Sequence, residues 1–226
     1  MKLRMTVLIM VAFAVSAPAQ EPKSRDRGAD QQAVVNDDGG QAFVIGTEST
    51  TLANLSNHGA VISEPRQYSI FLGNGWRKAP LREREPELAN LLSNISDQAQ
   101  LNALNEAGIK NVFGATSSQE KLDDLAVNIS DLEIQKVLAG MLRDGTFPQS
   151  NANTIYVLFL DPKLHSTLGS MIARKHYLAY HNFFNASGLK IHYVVVPFES
   201  DPETGYQIAL RAFVAAALNP AGFPVP

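Results

Sequence analysis

Apolar residues in this chain fall into two kinds of run. Residues 154–160 are apolar without alternation, which is how a strand reads when both of its faces are covered. Residues 189–196 repeat the pattern through Ile191-His192-Tyr193-Val194-Val195-Val196 and stop at Pro197. Residues 68–72 form a shorter run of strand formers closed by Gly73-Asn74-Gly75. Residues 112–114 and 41–46 predict two further brief strands. The second kind of run is periodic. Between 131 and 143, Ile134, Val137, Leu138, Met141 and Leu142 share one face. Asp131 lies near the positive end of that helix and Arg143 near the negative end, before a stop at Gly145. Leu88, Leu91, Leu92 and Ile95 predict a helix over 85–95. Ser96-Asp97 caps another through Leu101, Leu104 and Ala107, stopped by Gly108. Residues 205–218 predict a final helix, apolar almost all round and therefore buried, ended by Asn219-Pro220. Strands separated by helices predict an α/β fold, a layered domain with a central mixed sheet flanked by helices. The long intervals between strands leave room for parallel and antiparallel pairs.

The amino terminus reads differently. Lys2 and Arg4 precede an apolar run over 5–15, and Ala17-Pro18-Ala19 fits a small-residue cleavage site. This layout predicts a signal peptide over 1–19, cleaved after Ala19, and hence a secreted or periplasmic protein. The run is shorter than the about 20 residues a spanning helix needs. No other segment is long and apolar enough, so the mature chain is expected to lack a transmembrane segment. Residues 20–57 hold few large apolar groups and read as a disordered linker, a flexible leader ahead of a folded domain over 58–226.

Composition narrows the function classes. Cysteine is absent, which removes disulfides, thiolate metal sites and cysteine nucleophiles together. A net charge of -3 gives no electrostatic basis for nucleic-acid binding. No G-x-S-x-G elbow and no G-x-G-x-x-G loop occurs. The carboxylate pairs Asp123-Asp124, Asp37-Asp38 and Glu199 with Asp201 lie in polar stretches, where solvation is the default.

Three segments carry a resemblance. Tyr68-Ser69-Ile70-Phe71-Leu72-Gly73-Asn74-Gly75-Trp76 is an early strand running into Gly and Trp. Arg143-Asp144-Gly145-Thr146-Phe147-Pro148 precedes the apolar strand over 155–160. The closing helix runs into Asn219-Pro220-Ala221-Gly222-Phe223. Over residues 59–223 this series resembles the secreted phosphate-induced, or Exordium-like, family, including its bacterial members. The resemblance implies an exported α/β domain. The family's closing helix carries the pattern Ser-His-Glu-x-x-Glu-x-x-Thr-Asp-Pro, whose logic is similar to that of zincin helices. Here Arg211 stands at the His position, and Ala212 and Ala215 stand at the two Glu positions. A guanidinium offers no lone pair, and alanine neither coordinates nor accepts a proton. The resemblance therefore implies a degenerate, non-catalytic member with no cofactor.

The remaining candidates are weaker. Of the histidines, His165, His176 and His181 fall close together, but His176 and His181 sit about 140° apart on a helix, poor geometry for metal ligands. His192 reads as a core or sheet-edge residue. Tyr177, Tyr180, Phe183 and Phe184 have near-helical spacing and read as packing. Trp76 stands beside a basic cluster, Arg77, Lys78, Arg82 and Arg84, interleaved with Glu83, Glu85 and Glu87. Trp76, His181 and Arg211 are the binding candidates. Arg211 is expected to meet an acidic side chain or to reach solvent at a cleft rim. The sequence thus predicts an exported domain that binds extracellular carbohydrate or protein. The alternatives are a metal-dependent hydrolase built around His176 and His181 and a purely structural envelope protein.

Overall fold

All seven side chains of the strand Thr154–Leu160 are buried, as a run with no polar face requires. The computed structural model describes residues 31–35, 41–46, 59–110, 118–121, 125–147, 151–186 and 188–221. The expected signal peptide and its cleavage point after Ala19, most of the expected linker, and the expected strand at 112–114 lie outside them. In chain order the elements are β1 (Gln31–Val35), β2 (Gln41–Ile45), β3 (Arg66–Leu72), α1 (Leu81–Leu88), α2 (Gln98–Glu106) and β4 (Ser118–Lys121). Then come β5 (Asn128–Ser130), α3 (Asp131–Arg143), β6 (Thr154–Leu160), β7 (His165–Leu168), β8 (Met171–Ile172), β9 (Ala179–Ala186), β10 (Leu189–Val196) and α4 (Pro202–Leu218).

The main sheet has seven strands in the order β1-β2-β9-β10-β6-β3-β4. β10, β6, β3 and β4 run parallel, while β9 is antiparallel to both β10 and β2. The fold is therefore mixed α/β, as the run pattern predicts. Alternation along the strands splits the core in two. Ile155, Val157 and Phe159 join Phe43, Ile45, Phe71, Val194 and Val196 beneath α4. Tyr156, Leu158 and Leu160 join Ile70, Leu72, Tyr193 and Val195 against Ile134, Leu138 and Met141 of α3. A second sheet, β5-β7-β8, lies on the α3 side.

Helix α3 spans the predicted residues, and the side chains of Ser130 and Glu133 form a capping box at its start. Helix α4 begins three residues earlier than its apolar pattern predicts. Asp201 caps it by accepting from the Thr204 amide at 2.8 Å, and Pro202 occupies its first turn. From Ile208 to Leu218 every residue of α4 is buried.

Three expectations are corrected. Residues 20–57 are not wholly a linker: 31–35 and 41–45 pair as strands, and β2 joins β9. Ala42, Phe43, Val44 and Ile45 are buried, four consecutive apolar residues that supply both faces of the sheet. The helix expected over 85–95 ends at Leu88. Leu91, Leu92 and Ile95 still reach the core, but from turns. The reason is Gln67 of β3. Its amide donates to the Leu88 carbonyl at 2.6 Å, and its oxygen accepts from the Leu91 amide at 3.1 Å. One side chain thereby satisfies the backbone groups that a continuing helix would have paired internally. The aromatic residues after Tyr177 lie on a strand, not a helix. Tyr180, Asn182 and Phe184 face one side of β9, and the pairing with β10 decides the conformation.

Gln67→Ala leaves both buried groups without a partner, so stability is expected to fall by about 2–4 kcal/mol in urea unfolding. A loss below about 0.5 kcal/mol would show that the turn after α1 does not depend on this amide.

Candidate functional site

The parallel strands β3, β6 and β10 end level with one another. Leu72 pairs with Leu160, and Val196 pairs with Phe159. Open α/β sheets bind ligands beyond such carboxyl ends. Here the exits of β3 and β6 are joined by one buried carboxylate. Asp161 accepts from the Gly75 amide and from the Lys163 amide, each at 2.8 Å. The approach is close enough to dictate glycine. Gly73 has φ +105, and a Cβ there would lie 2.5 Å from the Asp161 carboxylate. A Cβ on Gly75 would lie 3.0 Å from the same oxygen.

The tight exit swings Trp76 under the sheet edge. Its indole donates to the Phe159 carbonyl at 3.1 Å and packs against Phe71 at 4.8 Å. Trp76 is only 2% exposed, so its ring is a wall rather than an open stacking platform. Beyond it lies a crevice lined by Trp76, Arg84, Leu88, Phe159, Phe198 and Glu199. Its volume is about 20 Å³, room for one water-sized group.

Glu199 ties three elements together at the rim. Its carbonyl accepts from Arg84 of α1 at 2.8 Å. Its carboxylate pairs with Arg174 of the β8–β9 turn and accepts from the Asp201 amide at the start of α4. Partial burial opposes ionisation of Glu199, but Arg174, the Asp201 amide and Ser200 together hold its carboxyl below the ordinary value. Arg174 adopts φ +68, a conformation non-glycine residues seldom take. Arg84 also lies 5.8 Å from the Phe198 ring centroid.

Two further polar clusters are buried on opposite faces of the sheet. On the α3 face, Asp131 accepts from the Tyr193 hydroxyl at 2.7 Å, Tyr180 at 2.8 Å, Gln135 at 2.9 Å and Asn182 at 3.0 Å. Burial raises its pKa, and these four donors oppose the shift. All four acceptor positions of the carboxylate are thus occupied, which makes Asp131 an anchor for the start of α3.

On the α4 face lie His181 and His192, and α4 itself carries Arg211. His181 stacks on Phe43 at 4.8 Å, and among the described residues its Nε2 has no hydrogen-bond partner. Burial, then the neighbouring His192, pushes its pKa down to about 3. His192 is pushed down to about 4 by burial and then by Lys190, against a hydrogen bond to the Pro220 carbonyl. Arg211 is fully buried, so it does not reach solvent at a cleft rim. Its Nε makes no hydrogen bond, although the residue makes further interactions.

The sequence candidates are therefore not gathered in one place. Trp76 walls the crevice, His181 is two strands away from β6, and Arg211 is enclosed in α4. His176 lies in an exposed turn, where its Nδ1 accepts from the Ile172 amide at 2.9 Å. Among the described residues no three metal-ligating side chains cluster. Arg84 and Glu199 stand out in sequence only as members of mixed-charge stretches, and Arg174, Phe198 and Gly205 carry no pattern. The usable signal was Gly73-x-Gly75 after one strand and Asp161 after another. Compared with known families, curated proteins and solved structures, the chain matches none.

Both buried histidines bind protons less readily folded than unfolded, where their value is 6.5. Their stabilising effect is complete above about pH 6.5 and is lost as pH falls toward about 4 and then 3. Asp131, with a raised pKa, acts in the opposite direction at acid pH. The clean measurement is the difference in Tm between wild type and His181→Leu. Wild type is expected to lose more Tm between pH 7 and pH 4, and parallel profiles would contradict the assignment.

Proposed function

We propose that this chain is an exported, non-catalytic binding domain that takes its ligand in the crevice at the carboxyl ends of β3, β6 and β10. The observation that carries this reading is convergence. Three parallel strands end level, and their exits bring an arginine, a carboxylate and aromatic rings from separate elements to one edge. The apolar run and A-x-A segment at residues 5–19 support export. The Exordium-like resemblance supports the same route and an extracellular carbohydrate or protein as partner. Non-catalysis is supported by α4 itself, whose Arg211, Ala212 and Ala215 offer neither lone pairs nor a proton acceptor.

A crevice this small binds by opening slightly or by receiving one protruding group of a larger partner. Either mode disturbs the backbone at Phe198 and Glu199. The test is an amide NMR titration of isotopically labelled mature protein with extracellular glycans and cell-wall fragments. Binding fragments are expected to shift the amides of Gly75, Phe198 and Glu199 first. Saturable shifts confined to other faces would overturn the placement of the site.

A further inference from the structure

Resting on that reading, we propose that the crevice recognises a carboxylate carried on a ring, as in an acidic saccharide, with Arg84 as the principal contact. The guanidinium of Arg84 is placed before any ligand arrives. One nitrogen donates to the Glu199 carbonyl at 2.8 Å, and the group lies over the Phe198 ring at 5.8 Å. Gly205 makes the space, because a Cβ there would lie 2.7 Å from the Arg84 guanidinium. Yet among the described residues the Nε of Arg84 has no hydrogen-bond partner, although it is shielded from solvent. A preorganised guanidinium with an unused donor suits a planar carboxylate, which accepts a forked pair of hydrogen bonds.

The local charge points to a monoanion. Arg84 and Arg174 face Glu199, which leaves one positive charge at the rim. Asp201, the exposed cap of α4, also feels the charge of Arg84, but solvent screens that interaction. A carboxylate balances that single charge. A phosphate dianion would add a charge that the neighbouring Glu199 repels. Arg174 is 41% exposed while paired, so it can turn toward a second oxygen. Half-buried Phe198 offers an apolar face on which a sugar ring can lie.

The probes are trigalacturonate, its methyl ester, which keeps the rings and removes the charge, and inorganic phosphate. Calorimetry at low salt is expected to show trigalacturonate binding at least roughly tenfold tighter than the ester. Arg84→Gln is expected to remove that advantage and leave the ester unchanged, while Arg84→Lys retains part of it. Because Arg84→Gln also breaks the tie to Glu199, wild-type affinity is measured as salt rises. A fall with salt for trigalacturonate but not for the ester supports the proposal without any variant. Equal affinity for acid and ester, tighter binding of phosphate, or an indifferent Arg84→Gln overturns it. If the ester still shifts the crevice amides, the binding site stands and only the ligand class falls. If neither trigalacturonate nor its ester shifts them, the proposed ligand class falls, and the placement of the site is decided by the wider glycan and cell-wall titration.

Discussion

The carboxylate of Asp161 is the constraint on which the edge of the sheet depends. A buried charge is costly unless its acceptor positions are filled. Two backbone amides, from Gly75 and Lys163, donate here, one to each oxygen. Because those amides belong to the exits of different strands, satisfying one charge fixes two loops. The route of the first loop then sets where Trp76 and α1 lie, and α1 delivers Arg84 to the crevice. The glycine at 73 follows from the same charge, since a side chain there would collide with it, and one at 75 would crowd it.

The polar groups sunk into the two faces of the sheet behave differently from one another. Asp131 is surrounded by four donors and pins α3 to β9 and β10. Its environment is closed and needs nothing more. His181 and His192 instead stay neutral by burial beneath α4. The α4 face is consequently the acid-sensitive side of the molecule, and the carboxyl edge is the side that holds the crevice.

Much of the fold was legible in the residues. β6 and α3 read correctly to their ends because an unbroken apolar run and a capped 3.6-residue period are local signals. The misread elements are those decided from a distance. Helix α1 stops where it does because of Gln67, 21 residues before Leu88. β9 mimics helical spacing, and only pairing with β10 shows it to be a strand. β2 was visible as a brief strand, but its burial under β9 contacts was hidden by the polar sequence around it. The crevice was least legible. Arg84 lies 115 residues before Glu199, and no spacing rule joins them. Trp76 was found as a candidate because tryptophan is conspicuous, though its role is to wall the site.

The most direct test of this account is native-state amide exchange at Gly75 and Lys163, in wild type and in Asp161→Ala. Both amides are expected to be protected together in wild type, with similar opening free energies, and to lose protection together in the variant. If either amide keeps its wild-type protection in the variant, the two exits are not held by Asp161, and the rigid edge that places Arg84 does not exist as described.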